Sequence, residues 1–193
     1  MTECIEALHF RGTGDVEAVS SAQMDANGDI NISWLPMPVR DEEGKPTGEW
    51  NTRALRLPGG AGAPVVFGLH RKSVAYFPNH SKMIFVPKVN YVTGTRVYLS
   101  DEERIEQGLR PGPVIVVTNL CVMEMRERGV WNVVSLHKGV TAQDVIDNTG
   151  FEVQIADDCP VTKAPTRQDV ELIKKVDPTG IHLLDFMSGK ERA

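Results

Sequence analysis

The chain is poor in cysteine and aromatics, shows no excess of positive charge, and contains no long apolar run. Each shortage excludes something. The cysteines Cys4, Cys121 and Cys159 are odd in number, and their spacings match no metal motif, so neither a disulfide framework nor a metal site is expected. Cys121 lies in the apolar run VIVVTNLCVMEM and reads as a small buried hydrophobe. Without an oxidising framework, the cytoplasm is the expected compartment. The N-terminal MTECIEALHF lacks the basic start and apolar stretch of a secretory signal, and no run approaches a membrane span. A net charge of −5 argues against a nucleic-acid partner. No two of His9, His70, His80, His137 and His182 are spaced as helical metal ligands. What is present is an ordinary globular balance: 193 residues, 41% hydrophobic and 24% charged, enough for one domain with a core.

The order of elements predicts an α/β class. DVEAVSSA reads as a strand, Asn27-Gly28 in DANGD marks a turn, and INISWLP alternates, so 15–35 is expected to form a β-hairpin. Residues 39–50 are expected to be a polar loop or insertion. SVAYFP, MIFVPKV and RVYLS have strand composition. Ser100 with Glu103 is a capping box that starts a helix over 100–109. Residues 113–125 read as a strand buried on both faces, turning through RERG into a second strand at 130–139. Thr141 caps a helix that Gly150 stops, and FEVQIAD is a short strand. A second amphipathic helix spans 165–178, with Val170, Leu172 and Ile173 on one face, and 186–193 forms a loose tail.

The chemistry centres on LPGGAGAP, residues 57–64. It is neither a P-loop, which needs a following Lys and Ser/Thr, nor the G-x-G-x-x-G of a dinucleotide site. Adjacent glycines permit unusual backbone angles and bring N–H groups close to an oxyanion or a thioester carbonyl. A flexible turn into a core element is the plainer alternative, and both stay open at this point. No G-x-S-x-G marks a nucleophile. His80, in the turn PNHSK between strand-like segments, is a candidate site residue, whereas His137 reads as an ordinary surface histidine.

Several ordered blocks together resemble the β subunits of family I CoA-transferases, such as glutaconate and 3-oxoacid CoA-transferase. Val117, Thr118, Asn119 and Val122 match the family's V-T-(D/N)-x-x-V strand. Gly139, Val140, Thr141, Val145, Thr149, Gly150 and Phe151 match the following G-V-T…V…T-G-F segment, with Lys138 in place of proline. Gln23, Asp25, Gly28 and Asn31 match the Q-V-D…G…N hairpin, with Ser21 in place of glycine. Gly59, Gly60 and Ala61 match G-G-A. His80, Lys82, Phe85, Lys88, Tyr91, Val92, Thr93 and Gly94 match the H-E-K block, with Ser81 for Glu and Asn90 for Asp. The resemblance covers nearly the whole chain.

It implies a single domain over 1–193 with an open CoA-transferase-like α/β sheet, a polar insertion at 39–50 and a tail at 186–193. It implies an acyl-CoA thioester as substrate, no tightly bound cofactor and no metal. The expected partner is an α subunit, in a heterodimer or heterotetramer. Gly59, Gly60 and Ala61 are the expected oxyanion and thioester donors; Gln23, Asn31 and His80 are candidate substrate-site residues. The family's catalytic glutamate sits in an E-x-G segment upstream of the Q-x-D hairpin, and no E-x-G precedes Gln23 in these 193 residues. The expectation is therefore a domain without the N-terminal part of the family domain and with no catalytic residue of its own. Transfer is the first functional reading. Hydrolysis or carbon–carbon cleavage of a CoA thioester on the same fold is the second, and a non-catalytic structural subunit the third.

Overall fold

The computed structural model describes Ala7 and residues 14–60, 62–96 and 100–186. The main sheet has five strands in the order β1-β6-β8-β9-β10: β1 (Val16–Val19), β6 (Lys72–Phe77), β8 (Val114–Thr118), β9 (Cys121–Glu127) and β10 (Val130–Leu136). The first three run parallel and the last two add on antiparallel. A small second sheet pairs β2 (Gln23–Asp25) with β3 (Ile30–Asn31) and, in parallel, with β7 (Phe85–Val86). A two-stranded ribbon joins β4 (Trp34–Arg40) to β5 (Pro46–Arg56). The helices are α1 (Ala63–Leu69), α2 (Asp101–Glu106), α3 (Ala142–Asn148) and α4 (Arg167–Val176), followed by a 3₁₀ turn at Ile181–Phe186.

Several expectations change. The hairpin spans only β2 and β3; β1 belongs to the main sheet, because its alternating side chains pair in register with β6 rather than with β2. Residues 113–125 are two strands, folded back at Asn119-Leu120, and each alternates buried and half-exposed residues, so only one face is buried. The continuous apolar run concealed that turn. Residues 39–50 are mostly strand, not loop: Pro36, Pro38 and Pro46 are tolerated because a two-stranded ribbon leaves backbone N–H positions unpaired. MIFVPKV yields only the two-residue β7, and FEVQIAD only an isolated bridge from Gln154 to Asn132. Residues 97–99 of RVYLS and 187–193 of the tail lie outside the described residues, as do Cys4 and His9.

The capping boxes at Ser100 and Thr141 form as expected, and Thr166 builds a third. Helix α4 is capped, yet none of its residues is buried; Leu172, Ile173 and Val176 present an open apolar face.

The core lies between the sheets, around Met24, Phe77, Phe85, Met123, Met125 and Trp131. Trp131 donates to Ala26 O at 2.9 Å and so ties the β2–β3 turn to the main sheet. Gly28 in that turn has φ +77, and a Cβ there would meet Met125 Cε at 2.4 Å. A glycine is required on both counts.

Two buried arginines close the carboxyl end of α1. Arg96 donates to His70 O at 2.7 Å, Arg71 O at 2.9 Å and Gly112 O at 2.8 Å. Arg104 donates to Gly68 O at 2.9 Å, Leu69 O at 3.1 Å and His70 O at 2.9 Å. The acceptors at 68–70 are the helix's orphan carbonyls, where the macrodipole also favours a cation. Burial, together with the neighbouring Arg104 charge, pushes Arg96 down to about 9, still charged at neutral pH. Arg96→Leu strands several buried carbonyls and should lower unfolding free energy by roughly 3 kcal/mol or more in denaturant titrations. The exposed Arg126→Leu should change it by less than about 1 kcal/mol in the same measurement.

Candidate functional site

Ligands of open α/β sheets gather at the carboxyl ends of parallel strands. Three loops leave that edge here: Ser20-Ser21 after β1, Pro78 to His80 after β6, and Asn119 after β8. The glycine stretch joins them through β3 and β5. Leu57 donates to Ser33 O and Gly59 to Ile32 O, each at 2.9 Å. Gly59 has φ +94, a left-handed conformation in which a side chain is strained. It lines a cavity of about 350 Å³ with Ser20, Ser21, Ala22, Ile32, Leu57 and Pro58. The Gly59 N–H is thus spent on Ile32 O. Gly60 accepts from Ala63 N–H at 2.7 Å, and its own N–H meets no acceptor among the described residues. Ala61 lies outside the described residues.

Gln23 and Asn31 come together as direct partners across β2 and β3. Asn31 is fully buried. Its Nδ2 donates to Gln23 Oε1 at 2.9 Å and to Trp34 O at 2.7 Å, and its Oδ1 accepts from the N–H groups of Ser33 and Trp34. Gln23 in turn donates to Asn90 Oδ1 at 2.8 Å. Asn90 was missed as a site residue; its one sequence signal was an amide standing where the family pattern has a carboxylate. Nearby Asp25 is buried. Desolvation holds its carboxyl above the ordinary carboxylate range, against the pull of the Val89, Asp29 and Asn27 N–H groups.

His80 is brought to the same sheet edge but below the surface, 3% exposed. Its N–H donates to Asn119 Oδ1 at 2.7 Å. The Thr149 hydroxyl already gives its proton to Val145 O at 2.7 Å, so it accepts from His80 Nε2 at 2.9 Å. That leaves Nδ1 to accept from the Thr118 hydroxyl at 3.0 Å. The ring is a neutral Nε2–H tautomer with both nitrogens occupied, packed 4.2 Å from the Phe85 ring centre. It joins two sequence blocks, since Gly150 beside Thr149 also donates to Phe85 O at 2.8 Å. His137 is likewise tied in rather than loose on the surface, with ring contacts to Thr162 Oγ1 and Thr118 O at 2.8 Å each. Cys121 is buried as expected, and desolvation pushes its thiol up to about 11.

Among the described residues no cluster of His, Cys, Asp and Glu is arranged to hold a metal, and no helix is long and apolar enough to cross a membrane. The groups gathered at this edge are backbone N–H groups, amides and hydroxyls, of which the N–H and amide donors can hydrogen-bond a carbonyl oxygen.

No protein-family model matches the chain. The β subunit of the 3-oxoadipate CoA-transferase of Pseudomonas knackmussii is 33% identical over 168 residues, covering 86% of this chain and 60% of that protein. The cholesterol ring-cleaving hydrolase IpdB subunit of Rhodococcus jostii is 35% identical over 190 residues, covering 90% of this chain and 67% of that one. The chain belongs to the family I CoA-transferase β subunits. Of the solved structures, the decarboxylase AibA/AibB shares the fold, with a TM-score of 0.70 and 24% identity over 92% of this chain and 63% of that one. The described residues thus carry the family I sheet, with the Q-x-D hairpin, the glycine turn and the H-x-K block meeting at one sheet edge. The chain spans 60% of the length of its 3-oxoadipate relative.

Burial pulls His80 down from its ordinary value to about 4. The unfolded chain therefore binds a proton below about pH 6.5 that the folded chain refuses until about pH 4. Stability from this group is full above pH 6.5 and is lost as pH falls. The loss should reach about 2 kcal/mol by pH 5. Urea titrations at pH 7 and pH 5 should show this loss in the native chain and not in His80→Gln. An Asp25 contribution of opposite sign cancels in that comparison.

Proposed function

We propose that the chain is the β subunit of a heteromeric enzyme acting on acyl-CoA thioesters, with CoA transfer as its reaction. The observation that carries this reading is the glycine turn: anchored by Ile32 O and Ser33 O, lining a cavity at the carboxyl end of β1, and leaving the Gly60 N–H unspent among the described residues. The thioester carbonyl oxygen accepts from the Gly60 N–H. An attacking carboxylate adds to the carbonyl carbon, the oxyanion forms against this donor, and the CoA thiolate leaves. The thiolate then displaces the acyl group from the enzyme carboxyl and forms a glutamyl-CoA thioester. An acceptor acid repeats the exchange in reverse. The glutamate of an E-x-G segment supplies the carboxylate, from outside the described residues. The amide cluster of Gln23, Asn31 and Asn90 shapes the floor of the site, and His80 holds the sheet edge in place.

An α subunit completes the complex. The open apolar face of α4 and the exposed Ile181, Leu183 and Leu184 beside it support a subunit contact there. The reaction needs no bound cofactor or metal. A cytoplasmic setting is consistent with Cys121 and Cys159 as free thiols.

A second reading is CoA-thioester hydrolysis or carbon–carbon cleavage. The 35% identity over 190 residues to the ring-cleaving IpdB subunit favours it.

The test is co-purification with a candidate α subunit, followed by incubation with acyl-CoA and borohydride. Transfer predicts a reduced glutamyl adduct and a strict requirement for an acceptor acid. Free CoA, CO₂ or a ring-opened product without an acceptor assigns the second reading. Gly60→Val should lower turnover of the complex by about a hundredfold or more, the cost of removing an oxyanion donor, with an unchanged melting temperature. Full activity in that variant would leave this chain a structural subunit.

A further inference from the structure

Two prolines decide which edge of the β4–β5 ribbon is open. Pro38 has no N–H, so its pairing with Trp50 is of the kind that carries no ladder bonds, and the odd-numbered residues on either side carry them instead. The bonds at the two ends of the ribbon agree: Asp41 N–H donates to Lys45 O and Leu57 N–H to Ser33 O, each at 2.9 Å. The even-numbered residues of both strands therefore turn their backbone groups outward. On β4 two of these are Pro36 and Pro38, which closes that edge to another strand. On β5 they are Gly48, Trp50, Thr52 and Ala54, all with an N–H to give. No other strand among the described residues meets this edge, and Trp50 stands on it 62% exposed. Such an edge is a template for another strand.

The charges on β5 say which strand. Neither Glu49 nor Arg53 has an ion pair among the described residues. Arg53 has only the Tyr91 ring, at 5.9 Å, near the outer limit of a cation–π contact. Four residues apart on one strand, Glu49 and Arg53 are separated by about 13 Å and cannot pair with each other. Across a two-fold axis at Asn51 they can. Antiparallel pairing of β5 with a second copy then sets Glu49 opposite Arg53, and Arg53 opposite Glu49. Both are non-hydrogen-bonded pairs, in which side chains stand closest. The outward residues fall into line in the same register, Gly48 with Ala54 and Trp50 with Thr52, so the open N–H groups and carbonyls satisfy one another. Moving the axis to Glu49 or to Arg53 sets like charges face to face, and moving it to Trp50 or Thr52 leaves both charges unpaired.

We propose that two copies of this chain join through the outer edge of β5, with Asn51 on the two-fold axis, into a four-stranded sheet in the order β4-β5-β5-β4. The interface is isologous, so each contact occurs twice. Trp50 lies diagonal to its counterpart on one face, within aromatic reach. The pairing does not depend on the reaction assigned above, and it leaves the α4 face to the α subunit.

The test uses the full chain, alone and co-purified with the α subunit. Sedimentation velocity should show two copies of this chain per particle in both. Arg53→Glu sets glutamates opposite each other twice and should raise the dissociation constant of the pair by about tenfold or more, with an unchanged far-ultraviolet circular dichroism spectrum. Glu49→Arg should do the same, and the double variant, which reverses both charges, should restore the native constant. Asn51→Cys should cross-link between copies in oxidised glutathione, because partners of this kind stand about 4.5 Å apart at Cα, within disulfide reach. Met37→Cys, one strand away from the axis, should cross-link no more than the native chain. One copy per particle at every concentration overturns the proposal. So does a double variant that binds no more tightly than the single ones, or an Asn51→Cys chain that cross-links no more than Met37→Cys. Loss of the α subunit in the single variants, without rescue in the double, assigns the edge to the α subunit and likewise overturns it.

Discussion

One buried amide organises the site. The Asn31 side chain uses both its donors and both acceptor positions, on Gln23, Trp34 and Ser33. By binding the Trp34 N–H and carbonyl, it turns the chain sharply from β3 into the ribbon. That turn leaves the Ile32 and Ser33 carbonyls free to take Gly59 and Leu57, so the glycines are held from the same few residues. It also sets the indole on which Arg56 rests. A buried amide with every valence met rigidifies its surroundings, and the same amide with one partner missing is costly. The glycine turn, the cavity and the cation therefore share one support.

Elsewhere the fold buries a histidine and two arginines among hydrogen-bond partners. His80 is neutral because its ring nitrogens meet hydroxyls and burial opposes the imidazolium. Arg96 and Arg104 stay charged because backbone carbonyls surround them at the end of α1. The histidine and the two arginines hold backbone segments together, and neither position offers a proton or a nucleophile.

Much of this was legible beforehand. Local signals with a local cause were read correctly: the Asn27-Gly28 turn, the capping boxes at Ser100 and Thr141, the buried Cys121. The errors had non-local causes. Residues 113–125 look like one strand because nothing polar enough interrupts them, and only the Thr118 hydroxyl, accepting from the Leu120 and Cys121 N–H groups, reveals the turn. The ribbon over 34–56 was disguised by its prolines. Strand β1 was assigned to the wrong neighbour because pairing with β6 spans about fifty intervening residues. His80 had a sequence signal as a site residue, but its two threonine partners lie far along the chain.

By itself, the sequence determined the family, the α/β class and the glycine stretch, because these rest on residue types in order along the chain. Only the tertiary structure decided how the stretch is used. Gly59 spends its N–H on Ile32 while Gly60 keeps its own, and Arg56 is held over the turn with no hydrogen-bond acceptor among the described residues. Those outcomes depend on which distant groups arrive to satisfy each donor. Hydrogen-bond satisfaction is a property of the packed chain, and no local pattern specifies it.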